Sequence, residues 1–347
     1  MTIVELLKQR LELAFNWYQG MVNAKTGMLE YLYIPGADRF VRENCPIRDF
    51  ASVWDVELLG QFLHRQELYN LITTSLRHFD GYLVEGGGYL ILDSSRLGEP
   101  SSIAHSAFMI LALLHAPAPQ QTKKIAGLAE GILRQQQPDG SYKICFEDFP
   151  DNGEELYAGE AMLALMEAQR LLDDARYLQS AERGLIYYDE HYFRPGRVGD
   201  DMLVFFANWQ SQASRLVFEC TASAALKRAA AGYIFGMHDQ IIERGFYRDV
   251  ESYPARQVSV EVACALEGLN DAYSIAHSSH DERAEGHRRC ICTGLTYLLE
   301  LQCTDAGTEK ERGGFGMSLS ERTQRIDITG HVASAFMKSA ENGIESG

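Results

Sequence analysis

Six short segments that are apolar almost all the way round recur along this chain, and they limit its possible folds more than any other feature. Their first residues are spaced by 50, 55, 50, 51 and 70 positions. A helix without a polar face has to lie among other elements of structure. The sequence therefore predicts six inner helices, which begin at the first residues of the segments 55–63, 105–114, 160–168, 210–218, 261–269 and 331–339.

A second set of segments alternates with the first and carries an ordinary amphipathic stripe. In the segment nearest the N-terminus, Val4, Leu7, Leu11 and Phe15 follow helical spacing, and charged residues occupy the opposite face. Such helices cover a core on one side and meet water on the other. We expect six outer helices, at residues 3–18, 67–79, 120–136, 176–188, 222–234 and 284–301.

The connections between these helices differ in length. Short turns follow the inner segments, whereas long stretches rich in glycine, proline and aromatic residues follow the outer segments. Alternating runs at 88–95 and 140–146 predict small β-hairpins in these stretches. The polar run 277–286 fits a turn between two helices and not a linker between two cores. Six outer and six inner helices with all long loops on one side predict a single all-α ring domain over residues 1–347.

This pattern resembles the α/α toroid, the six-hairpin helical barrel of terpene cyclases, prenyltransferase β subunits, N-acylglucosamine 2-epimerases and several glycoside hydrolases. Two motifs, ILRQQQPDGSY (132–142) and YLLELQCTDAGTEKERGGFG (297–316), are similar to the Gln-plus-aromatic repeat of terpene cyclases. Tyr142 and Phe315 stand where that repeat usually has tryptophan. The Asp-rich motifs that isoprenoid chemistry needs are missing.

Charge and composition exclude several classes of partner. The chain has 48 acidic and 32 basic residues, for a net charge of −16, which disfavours nucleic acid and anionic membrane surfaces. The seven cysteines are scattered, as is typical of reduced intracellular thiols. No signal peptide is visible, so we expect a cytoplasmic location and a small-molecule or oligosaccharide partner. The sequence leaves the oligomeric state open.

Four residues are candidates for proton transfer, because each lies in an inner segment and would face a central cavity. Glu160 and Glu261 form a possible carboxylate pair of the kind that glycoside cleavage requires, or each merely favours the dipole of its own helix. His105 and His331 have side chains that titrate near neutral pH, as an epimerase requires, or they are satisfied core histidines.

Further polar and aromatic residues are expected to hold a substrate at the mouth of the ring. Aromatic faces stack on sugar rings, while carboxylates and amides bind hydroxyl groups. Arg48 and Asp49 are expected to precede the first inner helix, where they either bind an anionic substituent or pair with each other. The predicted substrate-binding residues are Arg48, Trp54, Asp55, Tyr157, Trp209, Gln210 and Asp327.

A metal site is the least supported alternative. Prenyltransferase β subunits carry an Asp and then a zinc-binding His after a Gly-rich turn, an order similar to that of Asp327 and His331. The accompanying Asp-x-Cys pair is absent, and its nearest substitute is Glu261 with Cys264. A zinc site of Glu261, Cys264 and His331 is geometrically possible. We nevertheless expect no metal and no cofactor.

These observations favour a carbohydrate-active enzyme, either a glycoside hydrolase or a sugar epimerase or isomerase, that uses acid/base residues in the cavity of a toroid. Two alternatives stay open at this point. One is a terpene-cyclase-like or prenyltransferase-like enzyme with an isoprenoid substrate. The other is a non-catalytic toroid that binds a peptide or a protein.

Overall fold

A computed structural model describes residues 2–42, 45–115, 121–150, 153–248, 258–305 and 308–345. The chain divides into two compact units. Unit 1 consists of Met1–Ser75 with Gln240–Gly347, and unit 2 consists of Leu76–Asp239. The divisions fall within two helices, α3 (Tyr69–Asp80) and α10 (Ala224–Glu243). None of the helices in the described ranges combines the length and the hydropathy that crossing a membrane requires.

Unit 1 is built on three helices that pack side by side. Helix α13 (Ile326–Glu341) lies between α2 (Pro46–Leu63) and α11 (Val258–Ser278). Helix α1 (Ile3–Gly20) packs on α13 and α2, and helix α12 (Arg283–Leu301) packs on α11. A small antiparallel sheet has the strand order β2 (Arg39–Val41), β1 (Leu32–Ile34), β5 (Gln324–Arg325). Strand β5 leads directly into α13, so the sheet fixes where that helix begins.

Unit 2 repeats this arrangement with different helices. Helix α7 (Glu154–Leu172) lies between α5 (Ile103–Leu114) and α9 (Leu203–Cys220), with α6 (Gln121–Gln135) and α8 (Ala175–Tyr187) packed on the outside. A π-helical segment, Tyr188–Phe193, extends α8. The hairpin of β3 (Leu83–Gly86) and β4 (Tyr89–Leu92) packs on α6 and is followed by the short helix α4 (Ser94–Leu97).

Local sequence explains where several of these helices begin and end. Helix α1 opens with a capping box, in which the Thr2 hydroxyl accepts from the Glu5 backbone N–H and the Glu5 carboxylate accepts from the Thr2 N–H. Helix α2 has Pro46 in its first turn, where the missing N–H costs nothing. Asp174 caps α8 by accepting from the Arg176 N–H.

The alternation of inner and outer helices is confirmed, but several inner helices begin earlier than predicted. Asp55, Glu160 and Gln210 were expected at helix starts, yet α2 begins at Pro46, α7 at Glu154 and α9 at Leu203. These three residues therefore lie about two turns inside their helices, and their carboxylates and amide do not act on the first-turn N–H groups. Arg48 and Asp49, expected to precede α2, belong to its first turn.

The small hairpins are partly as predicted. The run 88–95 contains β4, which pairs with β3. In contrast, the run 140–146 makes only isolated bridges, Gln136 with Tyr142 and Ser102 with Cys145. The polar run 277–286 does connect two helices, since α11 ends at Ser278 and α12 begins at Arg283. A single domain over residues 1–347 stays a prediction.

Candidate active site

A buried ion-pair group marks the start of α13 in unit 1. The Arg325 guanidinium holds the Asp327 carboxylate at two points, with a distance of 2.9 Å from Arg325 Nε to Asp327 Oδ1. Arg48 reaches the same carboxylate, with 3.2 Å between Arg48 Nε and Asp327 Oδ2. Both guanidinium groups also lie over the ring of Tyr31. Burial alone would raise the pKa of Asp327, but the two arginines hold it below its ordinary value, so Asp327 is ionised.

The pKa of Asp55, on α2, is shifted in the opposite direction to that of Asp327. Its side chain is half-buried, and burial raises its pKa to about 8, with contributions from the charges of Glu267 and Asp327 against that of His331. Gly330 on α13 makes room for it: a Cβ at that position would overlap Asp55 Oδ2 and Cγ. Helices α2 and α13 can approach this closely only because residue 330 is glycine. Asp55 thus holds a proton at neutral pH beside the ionised Asp327.

His331 follows Gly330 and joins α13 to α11. Its Nδ1 atom lies 2.7 Å from Glu267 Oε2, and its imidazole also hydrogen-bonds with the Cys264 thiol. Cys264 and Glu267 are almost fully buried, whereas the side chain of His331 is 22% exposed. Burial alone would lower the pKa of His331, but Cys264 and Glu267 raise it well above 6.5. The imidazole is therefore a cation tied to a carboxylate.

Glu261 lies one helical turn before Cys264 on α11 and is half-buried. Burial raises its pKa to about 7, and its Oε2 atom has no hydrogen-bond partner among the described residues. A carboxyl group with this pKa exchanges protons readily at neutral pH. Glu261 is therefore able to exchange a proton at neutral pH, and its catalytic role stays a prediction.

In unit 2, His105 has a structural role at the start of α5. Its Nδ1 atom accepts from the Ser102 backbone N–H at 3.2 Å and lies 2.8 Å from the Ser102 hydroxyl, so the histidine closes the cap of its own helix. The other ring nitrogen, Nε2, lies 3.2 Å from Glu99 Oε1. The side chain is only 2% exposed. This is the satisfied arrangement that the sequence offered as the alternative to proton transfer.

The remaining predicted residues of unit 2 lie where α7 meets α9. A Cβ at Gly159 would come within 2.6 Å of Trp209 Cβ, so the two helices are in close contact next to Glu160. Trp209 is buried and packs edge-on against Phe108, with ring centroids 5.5 Å apart. Glu160 and Gln210 are buried as well. Tyr157, one turn before Glu160, is half-buried.

Unit 1 therefore brings together four residues that the sequence singled out separately: Arg48, Asp55, Asp327 and His331. Arg48 and Asp49 do not pair with each other, since Asp49 pairs with Arg42 at 2.9 Å. Trp54 is half-buried in α2 beside Asp55. Glu160, His105, Tyr157, Trp209 and Gln210 belong to unit 2, and their catalytic or binding roles stay predictions.

Two residues that contact this group in unit 1 were missed from the sequence, Arg325 and Glu267. A signal for Glu267 was present, because it is the one charged residue after Glu261 in the apolar segment 261–269 and lies one turn after Cys264. Arg325 precedes Asp327 by two residues in a short strand, where periodicity carries no information.

Comparison with known proteins identifies the fold. No protein-family model and no curated protein matches the sequence. Among solved structures, the chain resembles the unsaturated glucuronyl hydrolase of Bacillus sp. GL1, at 13% identity, a TM-score of 0.70 and coverage of 97% of both chains. An inactive variant of an α-1,6-mannanase from Salegentibacter sp. HEL1_6, in complex with α-1,6-mannotetrose, matches at 9% identity and a TM-score of 0.67, covering 97% of this chain and 99% of that one.

A family 76 glycoside hydrolase (mannosidase) from Bacteroides thetaiotaomicron matches at 9% identity and a TM-score of 0.66, covering 96% of this chain and 98% of that one. These proteins are (α/α)6 toroids. Identities this low show the fold and not the activity. The chain has the all-α (α/α)6 toroid fold that the alternation of its helices predicted.

Proposed function

We propose that this protein is a sugar-acting hydrolase in which Asp55 is the general acid. The observation that carries the proposal is the contrast between two neighbouring carboxyl groups of unit 1. Asp55 keeps its proton, with a pKa of about 8, while Asp327 is ionised between two arginines. Environments that push the pKa values of two carboxyl groups apart are typical of glycosidase sites. The fold shared with glycoside hydrolases supports the same class of reaction.

Glycoside cleavage needs a proton for the leaving oxygen and a base for the attacking water. Asp55 supplies the proton, because it is half-buried and still protonated at neutral pH. Glu261, whose pKa of about 7 leaves much of it ionised, serves as the base. Asp327 is held too firmly by Arg325 to accept a proton and acts by fixing the two guanidinium groups.

The positive charge at this site indicates the kind of sugar. Two arginines face one carboxylate, which leaves an excess positive charge, and the Arg48 side chain is 41% exposed. This excess suits a sugar with an anionic substituent, such as the glucuronyl group named for the Bacillus relative. Trp54, half-buried in the same helix, supplies an aromatic edge for the sugar ring. In unit 2, Glu160 and His105 are further proton-transfer candidates, and Tyr157, Trp209 and Gln210 are further sugar-binding candidates.

The proposal is tested by assaying the purified protein on oligosaccharides that end in unsaturated glucuronyl residues and on α-1,6-linked mannosides. We expect hydrolysis of the uronyl substrates, and a decline in rate as the pH rises through about 8 because Asp55 loses its proton. Asp55→Asn should lower kcat by about 10²- to 10⁴-fold. Arg48→Met should raise KM for the uronyl substrates more than kcat changes.

The matched control is Asp201→Asn, which alters an exposed aspartate in unit 2 and should leave the rate unchanged. Wild-type activity in a folded Asp55→Asn protein would remove the acid from the proposal. If neither class of sugar is hydrolysed, the hydrolase proposal itself fails. Glu160→Gln and His105→Ala test the candidates of unit 2 in the same assay.

A further inference from the structure

We infer that Cys264, Glu267 and His331 form a binding site for a zinc ion. Each residue offers one donor atom, a sulfur, a carboxylate oxygen or an imidazole nitrogen, and these atoms lie within 4.8 Å of one another. The site is new with respect to the proposed hydrolase, because proton donation by Asp55 requires no metal. It corrects the expectation that the chain binds no metal, and it differs from the alternative set of Glu261, Cys264 and His331, since Glu267 takes the place of Glu261.

The distances are compatible with a tetrahedral ion. Bonds of about 2.0–2.3 Å to nitrogen, oxygen and sulfur place neighbouring ligands roughly 3.4–3.6 Å apart. His331 Nδ1 and Glu267 Oε2 are 2.7 Å apart, so they have to separate by less than about 1 Å when an ion replaces the shared proton. The Cys264 sulfur is already in hydrogen-bonding contact with the imidazole. Small side-chain rotations are therefore sufficient.

The ligands are held by two packed helices. Cys264 and Glu267 are three residues apart on α11, and hence on one face of the helix, while His331 comes from the neighbouring α13. Ligands carried by helices are positioned more precisely than ligands carried by loops. Cys264 and Glu267 are buried, and the His331 side chain, which is 22% exposed, is the ligand of this set that solvent reaches.

The donor set indicates which ion. A thiolate with an imidazole and one carboxylate suits an ion of borderline softness, and among common ions this favours zinc over magnesium or calcium, which prefer oxygen ligands alone. Three protein ligands leave a fourth position open, as in catalytic zinc sites, for water or a substrate atom.

The test uses the full-length protein, stripped of metal with a chelator and then titrated with Co²⁺ or Zn²⁺. We expect one ion per chain, and with Co²⁺ a thiolate-to-cobalt charge-transfer absorption together with the visible bands of tetrahedral cobalt. Cys264→Ser should abolish the charge-transfer band. Cys290→Ser, which removes a half-buried cysteine of α12 outside the cluster, should leave the band intact.

A folded wild-type protein that takes up no Co²⁺ would overturn the inference, and so would a charge-transfer band that survives in Cys264→Ser or disappears in Cys290→Ser. Should Cys264→Ser fail to fold, Glu267→Gln decides the matter. That variant should bind Zn²⁺ at least about tenfold more weakly than the wild type, and unchanged affinity contradicts the site. None of these readouts depends on sugar hydrolysis, so the two proposals fail separately.

Discussion

Replacing Gly330 with alanine should destabilise the protein, although alanine is the better helix former. The new Cβ would overlap Asp55 Oδ2 and Cγ and would approach Asp55 Cβ to 3.1 Å. Inserting a methyl group into a packed interface costs about 1–3 kcal/mol. Alanine in place of a helical glycine returns up to about 1 kcal/mol. We therefore expect a net loss of stability, together with reduced hydrolysis because Asp55 has to move.

Gly286→Ala is the matched control, because this glycine lies within α12 of the same unit and has nothing within 4 Å of its added Cβ. Its urea midpoint should rise slightly, so the two variants should differ by about 1–3 kcal/mol in free energy of unfolding. In an Asp55→Ala background, Gly330→Ala should lose most of its cost, because only the 3.1 Å contact is left. The reasoning is refuted if Gly330→Ala is as stable as Gly286→Ala.

Two further predictions concern buried ionisable side chains in unit 1. Glu57 is buried, both of its carboxyl oxygens are without a hydrogen-bond partner among the described residues, and burial raises its pKa from 4.5 to about 9. The folded state then keeps a proton that the unfolded state loses above about pH 4.5, so this contribution to stability is greatest below that pH and is lost as the pH rises through about 9. In Glu57→Gln, the urea midpoint of unfolding should therefore decline less between pH 5 and 9 than in the wild type. Glu282→Gln, at an exposed position, should decline as the wild type does. The prediction is contradicted if plots of urea midpoint against pH run parallel for Glu57→Gln and wild type. Arg325→Met should lower the free energy of unfolding by about 3–5 kcal/mol, because it leaves the buried Asp327 carboxylate with only Arg48 as a partner. The double variant Arg325→Met, Asp327→Leu should recover most of this stability. A urea denaturation series in which Arg325→Met lies within about 1 kcal/mol of the wild type would contradict the prediction.

The existence and order of the helices could be predicted because an inner helix, which is buried on all sides, has an apolar composition that loops do not have. Their beginnings could not. The first turns of α2 contain Pro46, Arg48 and Asp49, which favour a loop when only neighbours in sequence are considered. In the structure these charges find partners far along the chain or across a loop, Asp327 for Arg48 and Arg42 for Asp49. Tertiary ion pairs thus extend the helix beyond its apolar part.

The candidate site, like the helices, could be predicted only in part. Asp55 and Asp327 were singled out as carboxylates at the mouth of the ring, and His331 as a titratable side chain in an apolar inner segment. Their grouping with Arg48 depends on α13 lying between α2 and α11, which the closure of the ring predicts, but which side chains meet across these helices is not specified by the sequence pattern. His105 shows the limit of the residue-type argument, since its imidazole caps its own helix, and residue type alone does not distinguish this role from proton transfer.

Residues 327–331 bind three neighbours within little more than one turn of α13. The Asp327 carboxylate pairs with the arginines, Gly330 leaves space for the Asp55 side chain, and the His331 imidazole contacts Glu267 on α11. Adding or removing one residue in this stretch would rotate everything after it by about 100° and would break these relations at once. Insertions and deletions that preserve this site therefore have to fall in the surrounding loops and not within this pentapeptide.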